Sequence, residues 1–306
     1  MWWFATAASV DTVKLNFDQA GLLVLNIILG LVMFGIALDL RMDDFRRVFR
    51  MPRAIIAGLT TQLLLLPALT YLLTLIIKPQ PSIALGMILV SACPGGNISN
   101  FITHLSKGNT SLSISMTAFC NVFALFTTPF HIAFWGGMNP DTQGILKVVE
   151  MSPWSMFKIM LILMIVPLIV GMLVATYKPK WAERLRGPFK IFSIVAFVVF
   201  IIVAMQKNFD FFLKFISVVF FIVAIHNALA FLLGYTTGLV AGLKGRDRRA
   251  LSIEVGIQNS GLGLVLIFTF FDGLGGMAII AAWWGVWHII VGLTLASFWS
   301  MIPIKE

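Results

Sequence analysis

Charge is scarce in this 306-residue chain: Asp, Glu, Lys and Arg together make up only 11% of it, while 59% is hydrophobic. That shortage excludes an ordinary soluble domain, and a mean hydropathy of +0.96 points to a membrane protein. Cysteine is nearly absent as well, with only Cys93 and Cys120, both inside apolar stretches. Two such cysteines and four histidines exclude a disulfide framework and a clustered Cys/His zinc site. P-loop, dinucleotide and nucleophile–base motifs are lacking too, which argues against an enzyme or an ATP-driven pump.

What is present is a succession of apolar runs. A membrane-spanning helix needs roughly 20 mostly apolar residues in a row, and nine such spans are expected near 19–40, 53–77, 82–106, 110–135, 155–177, 188–206, 212–240, 249–271 and 276–301. The runs lack the alternation of barrel strands, so the fold class is all-α and polytopic. The net charge of +9 could suggest nucleic acid, but sixteen of the 22 basic residues fall on one side of a nine-span arrangement. They include Arg41, Arg46, Arg47, Arg50, Arg53, Lys178, Lys180, Arg184, Arg186, Lys190, Lys244, Arg246, Arg248, Arg249, Lys107 and Lys305. That side is then cytoplasmic, with the amino terminus outside, the carboxyl terminus inside and a lipid bilayer rather than nucleic acid as partner. Residues 1–17 lack a signal peptide's basic flank and long apolar core and are expected to stay on the protein, Trp2 and Trp3 anchoring it at the interface.

Two spans carry helix breakers at their middles. Cys93-Pro94-Gly95-Gly96-Asn97 interrupts one, and Gly256-Ile257-Gln258-Asn259-Ser260-Gly261 the other. Each is flanked by unbroken spans, and the two triplets run in opposite directions. Inverted repeats with matched broken helices are the usual mark of a secondary transporter, with its site at the repeat interface.

Of thirteen carboxylates, Glu254 is the one well inside a span, ~9 Å along the axis from its centre. A buried charge there marks an ion path; the competing reading is an ion pair with Arg248 or Arg249. Gln258, Asn259 and Ser260 follow it, Ser99 and Asn100 follow the first break, Ser113 and Thr117 lie one turn apart, and Gln62 sits inside span 53–77. Carboxylate, amide and hydroxyl oxygens with freed backbone carbonyls suit a small alkali cation such as Na⁺ better than Ca²⁺ or Zn²⁺. The half-helix amino-terminal ends after the breaks could hold an anionic substrate. His104 and His131 read as interfacial, and His226 and His288 as polar packing residues, His288 beside Trp283, Trp284 and Trp287.

At these residues the sequence resembles the bile acid:sodium symporter family. The likeness lies in Cys93-Pro94-Gly95-Gly96 with Ser99-Asn100, in Lys107-Gly108-Asn109 with Leu112-Ser113, and in Ile253-Glu254-Val255-Gly256-Ile257-Gln258-Asn259-Ser260-Gly261-Leu262. It extends over roughly 19–300, and its nine spans are similar to the animal members rather than the ten-helix bacterial ones.

The resemblance implies two crossed discontinuous helices in a core domain, 53–135 and 212–301, moving against a panel of 19–40 and 155–206, with 1–18 an extracytoplasmic segment. It implies two Na⁺ ions. The first site would use Ser99, Asn100, Ser113, Thr117 and Glu254, and the second Gln62, Glu254, Gln258 and the carbonyls of Val255 and Ile257. Asn97, Asn259 and His288 match positions that face substrate. The function so implied is sodium-coupled symport of an organic anion, bile-acid-like or a small carboxylate or sulfate ester. Alternatives are a metalloid or proton-coupled efflux carrier, suggested by Cys93, and a non-transporting membrane receptor.

Overall fold

The structure is a computed structural model that describes residues 10–14, 19–41, 44, 46, 50–149, 152–207 and 209–304. Trp2, Trp3, Arg47 and Lys305, and most of the stretch 1–17, lie outside the described residues. Among those described, the chain folds as α1 (Gln19–Ala37), α2 (Pro52–Ile77), α3 (Pro81–Ala92), α4 (Ile98–Leu105), α5 (Thr110–Met138), α6 (Gln143–Val149), α7 (Pro153–Tyr177), α8 (Pro179–Lys207), α9 (Phe209–Val240), α10 (Gly245–Gly256), α11 (Ser260–Phe270) and α12 (Gly275–Met301). Five of these, namely α2, α5, α7, α12 and the Leu213–Val240 part of α9, are long and apolar enough to cross a bilayer. Their leucine-, isoleucine- and phenylalanine-rich outer faces stay exposed, as lipid contact requires.

The helix breakers act where the sequence puts them. Helix α3 stops at Ala92 because Pro94 forces Cys93 into an extended conformation (φ −69°, ψ 153°). The chain resumes as α4 at Ile98. Helix α10 stops at Gly256 and α11 starts at Ser260. Each half is too short to span ~30 Å of hydrocarbon at 1.5 Å per residue.

Backbone groups freed inside a bilayer must find partners, and here the two breaks supply them to each other. Gly96 N–H donates to the Ile257 carbonyl (2.8 Å) and Asn259 N–H to the Pro94 carbonyl (2.9 Å), with Gly95 and Gln258 facing one another as an antiparallel bridge. A Cβ on Gly96 would come within 2.9 Å of the Gln258 carbonyl oxygen, so glycine is what allows the two backbones to meet. Thr128 Oγ1 donates to the Ala92 carbonyl (2.6 Å), and Asn227 Nδ2 to that of Gly256 (2.7 Å).

Two helices widen into π turns, Thr61–Leu65 in α2 and Leu161–Ile165 in α7, each just before a proline, Pro67 and Pro167. Pro67 has no N–H to offer the Leu63 carbonyl four residues back. His131 takes that role: its Nε2–H donates to Leu63 O (2.6 Å), while its Nδ1 accepts from the Trp135 indole (3.1 Å). His131 is therefore buried inside the protein, where the proline-orphaned carbonyl draws it inward.

Helix α1 packs on α8 and on the Val166–Tyr177 part of α7. Separately, α9 packs along α10, and α3 lies against α12 and α5. A short turn at Val10–Thr12 straps the starts of α3 and α12 together. Val10 N–H donates to Gln80 Oε1 (2.7 Å), Asp11 Oδ1 accepts from Ser82 N–H at the start of α3 (2.7 Å), Val13 O accepts from Gly275 N–H (2.7 Å), and Lys14 pairs with Asp272.

Candidate functional site

Glu254 sits two residues before the end of α10 and is fully buried. Its carboxylate reaches the face of α5 and the first turn of α4. Ser99 Oγ donates to Oε2 (2.6 Å), Ser113 Oγ to Oε2 (2.8 Å) and Thr117 Oγ1 to Oε1 (2.6 Å). Asn100 closes the group, its Oδ1 lying 2.8 Å from Ser113 Oγ and 3.3 Å from Thr117 Oγ1. The first break leaves room for all this, since a Cβ on Gly95 would stand 2.5 Å from Glu254 Oε1.

Hydrogens are fewer than the oxygens they serve. The single hydroxyl hydrogen of Ser113 faces both Glu254 and Asn100, and that of Thr117 faces Glu254, Asn100 and the Ser113 carbonyl (3.0 Å). Oxygens packed together around a carboxylate with too few protons between them are suited to a cation.

The arginines do not neutralise Glu254. Arg249 directs its guanidinium to the carbonyls of Ser106 (2.7 Å), Trp299 (2.8 Å) and Ile302 (3.0 Å), and Arg248 Nε donates to Leu243 O (2.6 Å). The ion-pair reading of Glu254 is thereby set aside: the carbonyl-bearing ends of α4 and α12 hold Arg249 instead.

A second polar group lies beside the first. Gln62, in the π turn of α2, donates from Nε2 to Gln258 Oε1 (2.8 Å) and to the Cys93 carbonyl (3.1 Å). Gln258 Nε2 donates to the Val255 carbonyl (2.7 Å) and approaches Gln62 Oε1 (3.3 Å). Val255 O thus joins the two amides, whereas the Ile257 carbonyl is taken by Gly96. Among the described residues the Glu254 side chain's hydrogen bonds go to Ser99, Ser113 and Thr117 and not to this pair.

Asn97 and Asn259 both stand at helix amino-terminal ends, those of α4 and α11. Asn259 Oδ1 accepts from Leu262 N–H (3.0 Å), capping its own helix, and both residues are half-buried. His288 in α12 is buried with Nδ1 unpaired, as is Ser260 Oγ. His226 likewise leaves Nδ1 unpaired, while its Nε2 meets Thr70 Oγ1 (2.7 Å) and its ring stands edge-on to Trp284. Phe220, Trp283 and Trp287 form an aromatic group between α9 and α12. A separate cleft of about 440 Å³, lined by Asn109, Thr110, Lys244 and Arg246 among others, opens where α5 and α10 begin and includes neither Glu254 nor the breaks.

Sequence reasoning missed Thr128 and Asn227, which hold the broken ends. It also missed Asn121, although its spacing of four from Thr117 could have revealed it.

Residues 26–215 match the Sodium Bile acid symporter family, which is more than half of the chain. The chain belongs to this family. An uncharacterized sodium-dependent transporter of Bacillus subtilis (strain 168) is 32% identical over 276 residues, covering 90% of this chain and 83% of its own. A stretch of that length cannot omit residues 254–258. A probable chloroplastic sodium/metabolite cotransporter of Oryza sativa subsp. japonica is 31% identical over 89% of this chain, which spans 62% of that protein. The ileal sodium/bile acid cotransporter of Homo sapiens is 26% identical over 78% of this chain and 67% of its own. Sodium bile acid symporter family members are transporters and not enzymes, and this chain is a multi-pass membrane protein of that kind.

Proposed function

We propose that the protein imports an organic anion together with sodium by alternating access. The observation that carries this reading is the buried Glu254 carboxylate, clasped by Ser99, Ser113 and Thr117 with Asn100 and with no basic side chain paired to it among the described residues. A sodium ion there would take the place of the missing protons and neutralise the charge. Ser99 and Asn100 come from α4, Ser113 and Thr117 from α5, and Glu254 from α10, so ion binding would tie the two broken helices into one unit.

A second ion would use Gln62, Gln258, Glu254 and the carbonyls of Val255 and Ile257. The amides would turn to present their oxygens. The substrate's anionic group would lie at the amino-terminal ends of α4 and α11, near Asn97, Asn259 and His288, where the positive dipole ends favour negative charge. Coupling follows if ion and anion both favour the same arrangement of the crossing.

The packing of α1 on α7 and α8, apart from the α3–α12 and α9–α10 contacts, supports a panel of 19–40 and 155–206 against a core of 53–135 and 212–301. With nine spans the amino terminus lies outside a cell membrane and the carboxyl terminus in the cytoplasm. The bile acid name of the ileal relative favours a carboxylate or sulfate ester, and the Phe220–Trp283–Trp287 group favours an amphipathic one. A metalloid carrier is less well supported, because Cys93 is buried beside Gly263 with no second thiol described next to it.

The test is uptake of candidate anions into proteoliposomes under an inward sodium gradient. Accumulation in sodium and none in choline is expected; equal accumulation in both would overturn the reading.

A further inference from the structure

Asn121 lies in α5, four residues after Thr117 and eight after Ser113. At 3.6 residues per turn the three share one helix face. Ser113 and Thr117 point along that face at Glu254, and Thr128 points along it at the Ala92 carbonyl where α3 ends. Asn121 therefore lies on the α5 face between the residues that meet Glu254 and the one that meets the end of α3.

It is fully buried, and neither its Oδ1 nor its Nδ2 has a hydrogen-bond partner. No other buried amide side chain among the described residues has both polar atoms unpaired. A buried amide left that way weakens a fold, whereas leucine, of similar branched shape, carries no such desolvation cost. A serine could turn its hydroxyl onto its own helix, but an asparagine turned inward has no comparable local outlet for both atoms. What the side chain offers is a hard oxygen for a small cation and an N–H pair for a water in its shell or a break carbonyl. The charge that would draw a cation there is Glu254, one turn or ~6 Å along α5 from the Asn121 level.

We propose that Asn121 is a transient sodium station through which the ion reaches and leaves the Glu254 group. The inference rests on the sodium reading of that group. It gives the ion a route along the face of α5 instead of a single enclosed point.

Sodium titrations test it, read both as thermal shift of the purified protein and as uptake into proteoliposomes, for wild type, Asn121→Leu, Asn121→Ala and Asn121→Asp. The leucine and alanine variants should raise the sodium half-saturation of uptake about tenfold, because entry and exit of the ion slow, while the half-saturation of the thermal shift, which depends on the end states alone, stays near that of wild type. Their substrate KM at saturating sodium should stay unchanged, and Asn121→Leu should melt no lower than wild type without sodium. Asn121→Asp should lower the half-saturation of uptake, and a purely structural amide would not give shifts of opposite sign. If Asn121→Leu fails to fold, the alanine and aspartate variants carry the test. Wild-type sodium dependence of uptake in the variants overturns the Asn121 role alone; a wild type indifferent to sodium overturns it together with the proposed function.

Discussion

The two polar groups at the crossing differ in how they are satisfied. Around Glu254, oxygens from α4, α5 and α10 meet with too few hydrogens for them all. Around Gln62 and Gln258, two amides bond each other and the carbonyls of Cys93 and Val255. In the proposed function the first would take a cation as it stands, while the second would have to give up hydrogen bonds to accept one. The difference teaches that two sites sharing one residue need not share one affinity: in the proposed mechanism the Glu254 group binds tightly and the amide pair weakly.

Glu254→Gln gives the largest effect, since it removes the charge but keeps the shape. Sodium-driven accumulation should fall to the level seen in choline. Next is Gly95→Ala, whose methyl would displace the carboxylate it meets at 2.5 Å. The sodium half-saturation for uptake should rise by more than about tenfold, the equivalent of losing at least one charge-assisted hydrogen bond. Thr117→Val removes one hydroxyl from the group and should raise it about five- to tenfold, or ~1–1.4 kcal/mol. Gln62→Leu tests the other half of the comparison: half-saturation should rise only about two- to fourfold, while the sodium dependence of uptake loses its sigmoidal form. A loss as complete as that of Glu254→Gln would erase the proposed distinction. The smallest effect on sodium belongs to His131→Leu, which strips the Leu63 carbonyl of its donor. It should lower stability by about 1–3 kcal/mol, seen as a lower melting temperature, with sodium half-saturation unchanged.

Much of the crossing was legible in the sequence because its causes are local. Proline and paired glycines at 94–96 stop a helix wherever they fall, and Glu254 stands out as a charge in an apolar run. Ser113 and Thr117 share a face by simple periodicity. What escaped depends on contacts between distant segments. The strap at 10–14 is set by side chains at Gln80, Ser82 and Asp272, and nothing in its own composition points to them. His131 turned inward because Pro67, on another helix, left a carbonyl unpaired. The same holds for Arg249, whose partners are carbonyls of α4 and α12 ends that no pattern of charges reveals. Thr128 and Asn227 look like ordinary membrane polar residues until the broken ends they hold are known.

The central claim, that Glu254 is a sodium ligand and not a structural carboxylate, is tested most directly by radioactive sodium binding to the purified protein, wild type against Glu254→Gln. Saturable binding in wild type and its loss in a variant that remains folded is the predicted result. Equal binding by the two proteins would contradict it.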